Sequence, residues 1–184
     1  MESAILGKCH SLKSRIILIA SFTFLMILAS YVRVHLFFTP VPVTLQTFVI
    51  FLSLVFLRKE SYIPQVFYLI MGASGIAVFG NGGAGIIYIL GPTGGYLMGF
   101  LASAFIAGII MHKASGIIDR SLLGYTVLFS VVNIVIYIFG ISWLVGIYGV
   151  TFRHAFNAGI IPFIIPDAVK IIPAAYISSK LTRI

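Results

Sequence analysis

Acidic residues are scarce in this chain: 184 residues include four, against twelve lysines and arginines. Glu2, Glu60 and Asp119 fall in polar connections between apolar blocks, and Asp167 falls inside an apolar block. Hydrolysis wants two carboxylates, or a nucleophile beside its base, and neither arrangement accompanies Asp167. There is a single cysteine, Cys9. It excludes a disulfide framework and a thiolate metal site, and reads as a reduced cytoplasmic thiol. His10, His35, His112 and His154 lie near block ends without ligand spacing such as His-Glu-x-x-His, so no metal site is expected. No Gly-x-x-x-x-Gly-Lys-Ser/Thr loop occurs, so any ATP chemistry belongs to other chains. Charge is low throughout: 9% of residues are charged and 60% hydrophobic, with a mean hydropathy of +1.15. A soluble domain of this size needs more charge to cover its surface, so the chain is an integral membrane protein. The net charge of +8 is dispersed among connections rather than set in a stripe with interleaved aromatics, which excludes nucleic-acid binding.

What is abundant is apolar sequence, in six blocks: Ile16–Val32, Val43–Leu57, Tyr62–Val78, Gly94–Met111, Leu122–Phe139 and Ile160–Ile177. A perpendicular span needs ~20 residues, with a range of ~17–25. Val43–Leu57 is short; it extends through Pro42 or starts at depth behind a re-entrant connection. The first block follows Lys8, Lys13 and Arg15 but is longer than a signal core and lacks a cleavage pattern, so it is expected to be retained. The fold expected is an all-α membrane protein, one six-helix domain over 1–184.

Charge sets the orientation. Lys8, Lys13, Arg15, Arg58, Lys59, Lys113, Arg120, Lys180 and Arg183 fall on one side of this arrangement, and Arg33 and Arg153 on the other. The positive-inside rule then puts both termini of this multi-pass protein in the cytoplasm; the membrane expected is a bacterial cytoplasmic (inner) membrane.

The outer links are glycine-rich. One runs Gly80-Asn81-Gly82-Gly83-Ala84-Gly85, then Ile86–Leu90, then Gly91-Pro92-Thr93-Gly94-Gly95-Tyr96. Ile86–Leu90 is too short to span, and is expected as a re-entrant piece or a short strand under a cap over an outward pocket. Trp143 and Tyr148 are expected in the link between spans 5 and 6, Trp143 in an interfacial aromatic belt and Tyr148 either there or closing over a site. Gly95, Gly99, Ser103 and Ala107 recur every four residues and predict close helix packing.

Ionisable residues at membrane depth cost ~2.5–3.5 kcal/mol on insertion scales, so Asp167 and Lys170 are the leading site candidates. Three apart, they share a helical face and can pair. A structural ion pair remains the alternative. Pro166, just before them, is expected to start or kink the helix and free backbone groups. In Pro40-Val41-Pro42-Val43-Thr44-Leu45-Gln46-Thr47, Thr44 and Thr47 are expected on one helical face, with Gln46 offering donors and an acceptor. Capping and ordinary interhelical bonding are the plainer reading there.

Three stretches together resemble BioY, the biotin-binding S-component of energy-coupling factor (ECF) transporters: Pro42-Val43-Thr44-Leu45-Gln46-Thr47, Gly91-Pro92-Thr93-Gly94-Gly95-Tyr96, and Pro162-Phe163 followed by Asp167 and Lys170. The resemblance implies a substrate-capturing membrane subunit rather than an enzyme, binding biotin on the outer face. It implies as partners a membrane scaffold protein and two ATPases, with ATP used by the ATPases and no cofactor bound by this chain. By the same resemblance Asp167 and Lys170 meet the ureido head group, Asn81 and Tyr88 close on the ligand from the outer loop, and Thr44 and Gln46 line the pocket. Two positions depart from the family pattern: Ile165-Pro166-Asp167 stands where Pro-Gly-Asp is usual, and Phe24 follows Ala20 where many S-components repeat alanine. The alternative function is a stand-alone, proton-coupled secondary transporter of a small amphipathic vitamin, with Asp167 as the relay.

Overall fold

The computed structural model describes residues 12–37, 39–119 and 121–182. Glu2, Lys8, Cys9, His10, Arg120 and Arg183, which entered the charge, thiol and ligand arguments above, lie outside them. In chain order the elements are α1 (Leu12–Tyr31), β1 (Arg33–Val34), β2 (Val43–Thr44), α2 (Gln46–Leu57), α3 (Ile63–Ala73), α4 (Gly85–Ile89), α5 (Gly94–Lys113), α6 (Ser115–Ile118), α7 (Leu122–Tyr148), α8 (Phe152–Gly159) and α9 (Ile161–Leu181). Single 3₁₀ turns occupy Arg58–Glu60 and Gly80–Gly82.

Among the described residues, four helical stretches are long and apolar enough to cross a membrane: Leu12–Tyr31, Gly94–Lys113, Leu122–Tyr148, and Phe152–Leu181, which joins α8 to α9. The other two expected spans are shorter as helices, α2 with 12 residues and α3 with 11. At 1.5 Å per residue each covers roughly 18 Å, short of a ~30 Å hydrocarbon core. The reasons are local. The prolines and the β1–β2 ladder delay α2 until Gln46, and Arg58, with φ of 50°, ends it. α3 stops at Ser74, followed by Gly75 in the left-handed region at φ 97°. Irregular backbone at depth is tolerated where protein surrounds it. α2 meets that condition: it packs against α1, α5, α7 and α9, and Ile50, Phe51, Leu54 and Val55 have no exposed surface.

Two other boundaries are corrected. Leu122–Phe139 continues through Gly140 to Tyr148, and Gly149, left-handed at φ 62°, caps it. Trp143 and Tyr148 are therefore in α7, not in a link. Ile86–Leu90 is neither strand nor span; it forms most of α4, a single helical turn. The chain is also not wholly α-helical, since β1 and β2 pair antiparallel with Arg33 opposite Thr44 and Val34 opposite Val43.

The small-residue stripe joins α5 to α7. A methyl on Gly95 would lie 2.3 Å from Trp143 Cβ, and one on Gly99 would lie 2.9 Å from Ile136 Cα, so only glycine permits the approach. Core aromatics fill the bundle beneath, Phe51 stacking on Phe129 at 4.6 Å. The outer faces are apolar, as lipid requires: Phe24, Ile138, Ile165, Val169 and Ile172 are all exposed. Ion pairs tie down the end where α1 begins and α9 finishes. Arg15 pairs with Glu60. Arg58 pairs with Asp119 at 2.9 Å, and the Tyr125 hydroxyl donates to the same carboxylate at 3.0 Å.

Candidate functional site

Asp167 and Lys170 lie one turn apart on α9, which runs unbroken through Pro166 and Pro173. Pro166 therefore does not start the helix; Pro162 occupies its first turn instead. Lys170 Nζ and Asp167 Oδ1 pair at 2.5 Å, with side-chain exposures of 12% and 5%. The ammonium also donates to the Thr44 carbonyl at 3.0 Å and the Thr47 hydroxyl at 2.6 Å. An ammonium has three protons, so Lys170 is fully used. Asp167 Oδ2 accepts the Tyr137 hydroxyl from α7. The pair thus fastens α9 to both α2 and α7. Its charge is balanced and bonded, as charge at membrane depth must be.

The same pair forms part of the wall of a cavity of about 600 Å³, its mouth included. The cavity lies at the end of the bundle away from the Arg15–Glu60 and Arg58–Asp119 pairs. α2 and its lead-in contribute Thr44, Gln46 and Thr47; α5 and its cap Thr93, Tyr96, Leu97 and Phe100; α7 Ile136 and Tyr137; α9 Phe163, Asp167 and Lys170. Tyr68 of α3, Tyr88 of α4, and Gly80 complete the wall with Val41 and Pro42. A mostly apolar and aromatic enclosure with a few convergent polar groups suits a small amphipathic molecule.

One fully buried side-chain atom in this wall lacks a hydrogen bond among the described residues. Gln46 is 4% exposed, and its carboxamide oxygen accepts the Thr44 hydroxyl at 3.2 Å. Its Nε2 is buried without a hydrogen bond of normal geometry among the described residues, the Tyr68 phenol being the side chain nearest to serving it. Gln65 Oε1 and Asn133 Oδ1 share that condition among the described residues, but neither lines the cavity. An unmet buried donor costs ~1–3 kcal/mol, which a ligand acceptor seated against Gln46 would recover.

Asp167, Lys170, Thr44, Gln46 and Tyr88 are therefore brought together. Asn81 is not among the lining residues. It is exposed, left-handed at φ 67° in the Gly80–Gly82 turn, and its side-chain oxygen accepts from Arg33 Nη2. Thr44 is also placed otherwise than expected: it belongs to β2, not to the helical face of Thr47, and reaches Lys170 through its main-chain carbonyl. Sequence reasoning missed Tyr137, Tyr96, Phe100 and Phe163. Tyr137 carried one readable signal, a phenol in the middle of a long apolar run, where its hydroxyl needs a partner.

The covering loop is pinned at several points. Phe79 sits between Tyr68, edge-on at 5.3 Å, and Tyr88, stacked at 4.9 Å. The Trp143 indole N–H donates to the Gly91 carbonyl at 3.1 Å, and the Tyr148 hydroxyl to the Leu90 carbonyl at 3.1 Å. Trp143 therefore anchors the cap from within α7.

A family model described as the BioY family matches residues 4–184. A protein of Pyrococcus horikoshii described as a probable biotin transporter BioY is 41% identical, over 77% of this chain and 81% of that protein. The biotin transporter BioY of Thermotoga maritima is 32% identical, over 89% of this chain and 92% of that protein. Among solved structures, the chain resembles one described as the S-component for biotin from an ECF-type ABC transporter. The TM-score is 0.84 at 23% identity, covering 94% of this chain and 92% of that one, a likeness of fold.

Proposed function

The chain belongs to the BioY family, and from that premise we propose that it is the membrane subunit that captures biotin for uptake. It is a transport protein, not an enzyme. The observation that carries the reading is the cavity itself. An apolar, aromatic enclosure ends in the Asp167–Lys170 pair and the under-bonded Gln46 amide. Biotin is a fused bicycle with a polar ureido edge and a five-carbon acid tail. The ureido N–H groups suit Asp167, whose carboxylate has acceptor capacity beyond its present partners. The ureido carbonyl suits the Gln46 amide and, by displacing a current acceptor, Lys170. Thr44 lines that end, and Tyr88 covers the bicycle from the mouth. Asn81 closes the rim from outside the wall.

The remaining parts of the reading follow the family. The chain crosses the cytoplasmic membrane six times, α2 and α3 crossing with the help of their non-helical ends, and both termini are cytoplasmic. It works with an ECF module of one scaffold protein and two ATPases, which spend the ATP. The test is isothermal titration of the detergent-purified chain with biotin, with thiamine and riboflavin as controls. Tight binding of about one biotin per chain, without added partners, is expected; no binding to folded protein overturns the reading. Uptake that survives an uncoupler while ATP is maintained is expected as well, and collapse would favour the proton-coupled transporter instead.

A further inference from the structure

Three cations in the described structure are part-buried: Arg33, Arg58 and Lys170. Arg58 and Lys170 each pair with a carboxylate. No carboxylate of the described residues pairs with Arg33; its side-chain bond is to the neutral Asn81 oxygen. Its place in the fold gives this unbalanced charge a direction. Arg33 is opposite Thr44 in the β1–β2 ladder, and directly opposed residues project to the same face. Thr44 lines the cavity and its carbonyl receives Lys170. From the other side, Gly80 lines the cavity, and a methyl built on it would lie 3.2 Å from Arg33 Nη1 and 3.4 Å from the Tyr88 hydroxyl. The guanidinium and the phenol therefore converge on one lining residue, Gly80, Arg33 standing just behind the wall rather than in it.

The cavity is thus polarised. One part of its wall holds a charge-balanced pair, and beside Gly80 stands a guanidinium, five donors in all, whose side-chain bond among the described residues is to Asn81. We infer that Arg33 binds the carboxylate of the ligand at the cavity mouth, with Tyr88 as a second donor and Asn81 as the positioning residue that aims the guanidinium. A planar fork of N–H groups matches a carboxylate in two parallel bonds, which a lysine ammonium cannot reproduce. A neutral head inside and an anionic tail outside also fix the direction in which the ligand lies. This rests on the biotin reading above.

The test compares biotin with biotinamide, which keeps the bicycle and chain but replaces the carboxylate by a neutral amide. Both are titrated into the full-length wild-type chain and into Arg33→Gln and Arg33→Lys. Wild type is expected to bind biotin at least tenfold more tightly than the amide. Arg33→Gln should lose that tenfold for biotin and leave the amide unchanged; Arg33→Lys should keep part of it. Wild-type protein that binds the two equally overturns the inference and leaves the biotin reading standing, a result that needs no variant to fold. Equal weakening of both ligands in Arg33→Gln also overturns it, assigning Arg33 to the fold. Wild-type protein that binds neither overturns both readings together.

Discussion

Removing Asp167 and removing the Asp167–Lys170 pair are different experiments, because the pair holds three helices together while facing the cavity. Asp167→Asn takes away the charged acceptor for ligand N–H groups and strands the Lys170 ammonium. Breaking one side of a buried pair costs about 3–5 kcal/mol, whereas replacing both sides by groups of similar volume is often neutral or stabilising. The single variant is therefore expected to lose more than tenfold in biotin affinity and to unfold at lower temperature. The double variant Asp167→Asn, Lys170→Met should recover most of the thermal stability and none of the affinity. Thermal unfolding and titration on the same preparations check this. A double variant that regains affinity would show that the pair serves only the fold. These two residues were legible in the sequence because charge at depth is costly enough to demand a reason. Tyr137 was only partly so: a phenol in an apolar run signals that its hydroxyl needs a partner, but not that the partner is Asp167.

At the scale of elements, glycine is where the sequence was ambiguous. Gly75 ends α3 through a left-handed turn, while Gly140 does the opposite and lies mid-helix because the Tyr96 ring occupies the space a methyl would fill, at 2.4 Å. Composition cannot separate a stop from a close approach, so the helix that passes Phe139 is longer, and the one that stops before Val78 shorter, than the apolar blocks predict. The stripe of Gly95, Gly99, Ser103 and Ala107 was readable because its spacing repeats, and its two glycines pack α5 on α7. A matched pair of substitutions tests this. Gly95→Val would meet Trp143 Cβ and the Phe139 carbonyl, the latter 2.6 Å from the first added carbon. It should destabilise by about 1–3 kcal/mol or more through overpacking. Gly146→Ala, in α7 with nothing within 4 Å, should be neutral or stabilising by up to ~1 kcal/mol from helix propensity. Thermal melts in one detergent compare them. Equal effects would remove the packing argument.

At the scale of the whole molecule, the charge pattern and the cavity make one joint statement about direction. Lys13, Arg15, Arg58, Lys59, Lys113 and Lys180 gather at the end where α1 begins and α9 finishes; Arg33 and Arg153 lie at the end that holds the cavity. The positive-inside rule predicts that the first end is cytoplasmic, and on that prediction the cavity faces outward, where a capture protein needs it. Neither fact alone implies the other: charge counting knows nothing of the pocket, and the pocket carries no record of the membrane. Cysteine labelling joins them. In a Cys9→Ser background, Arg153→Cys and Lys180→Cys each place one thiol at an exposed position. A membrane-impermeant maleimide should label Arg153→Cys in intact cells and Lys180→Cys only after permeabilisation. The reverse pattern would turn the cavity towards the cytoplasm, and the protein could then not collect biotin from outside by this face.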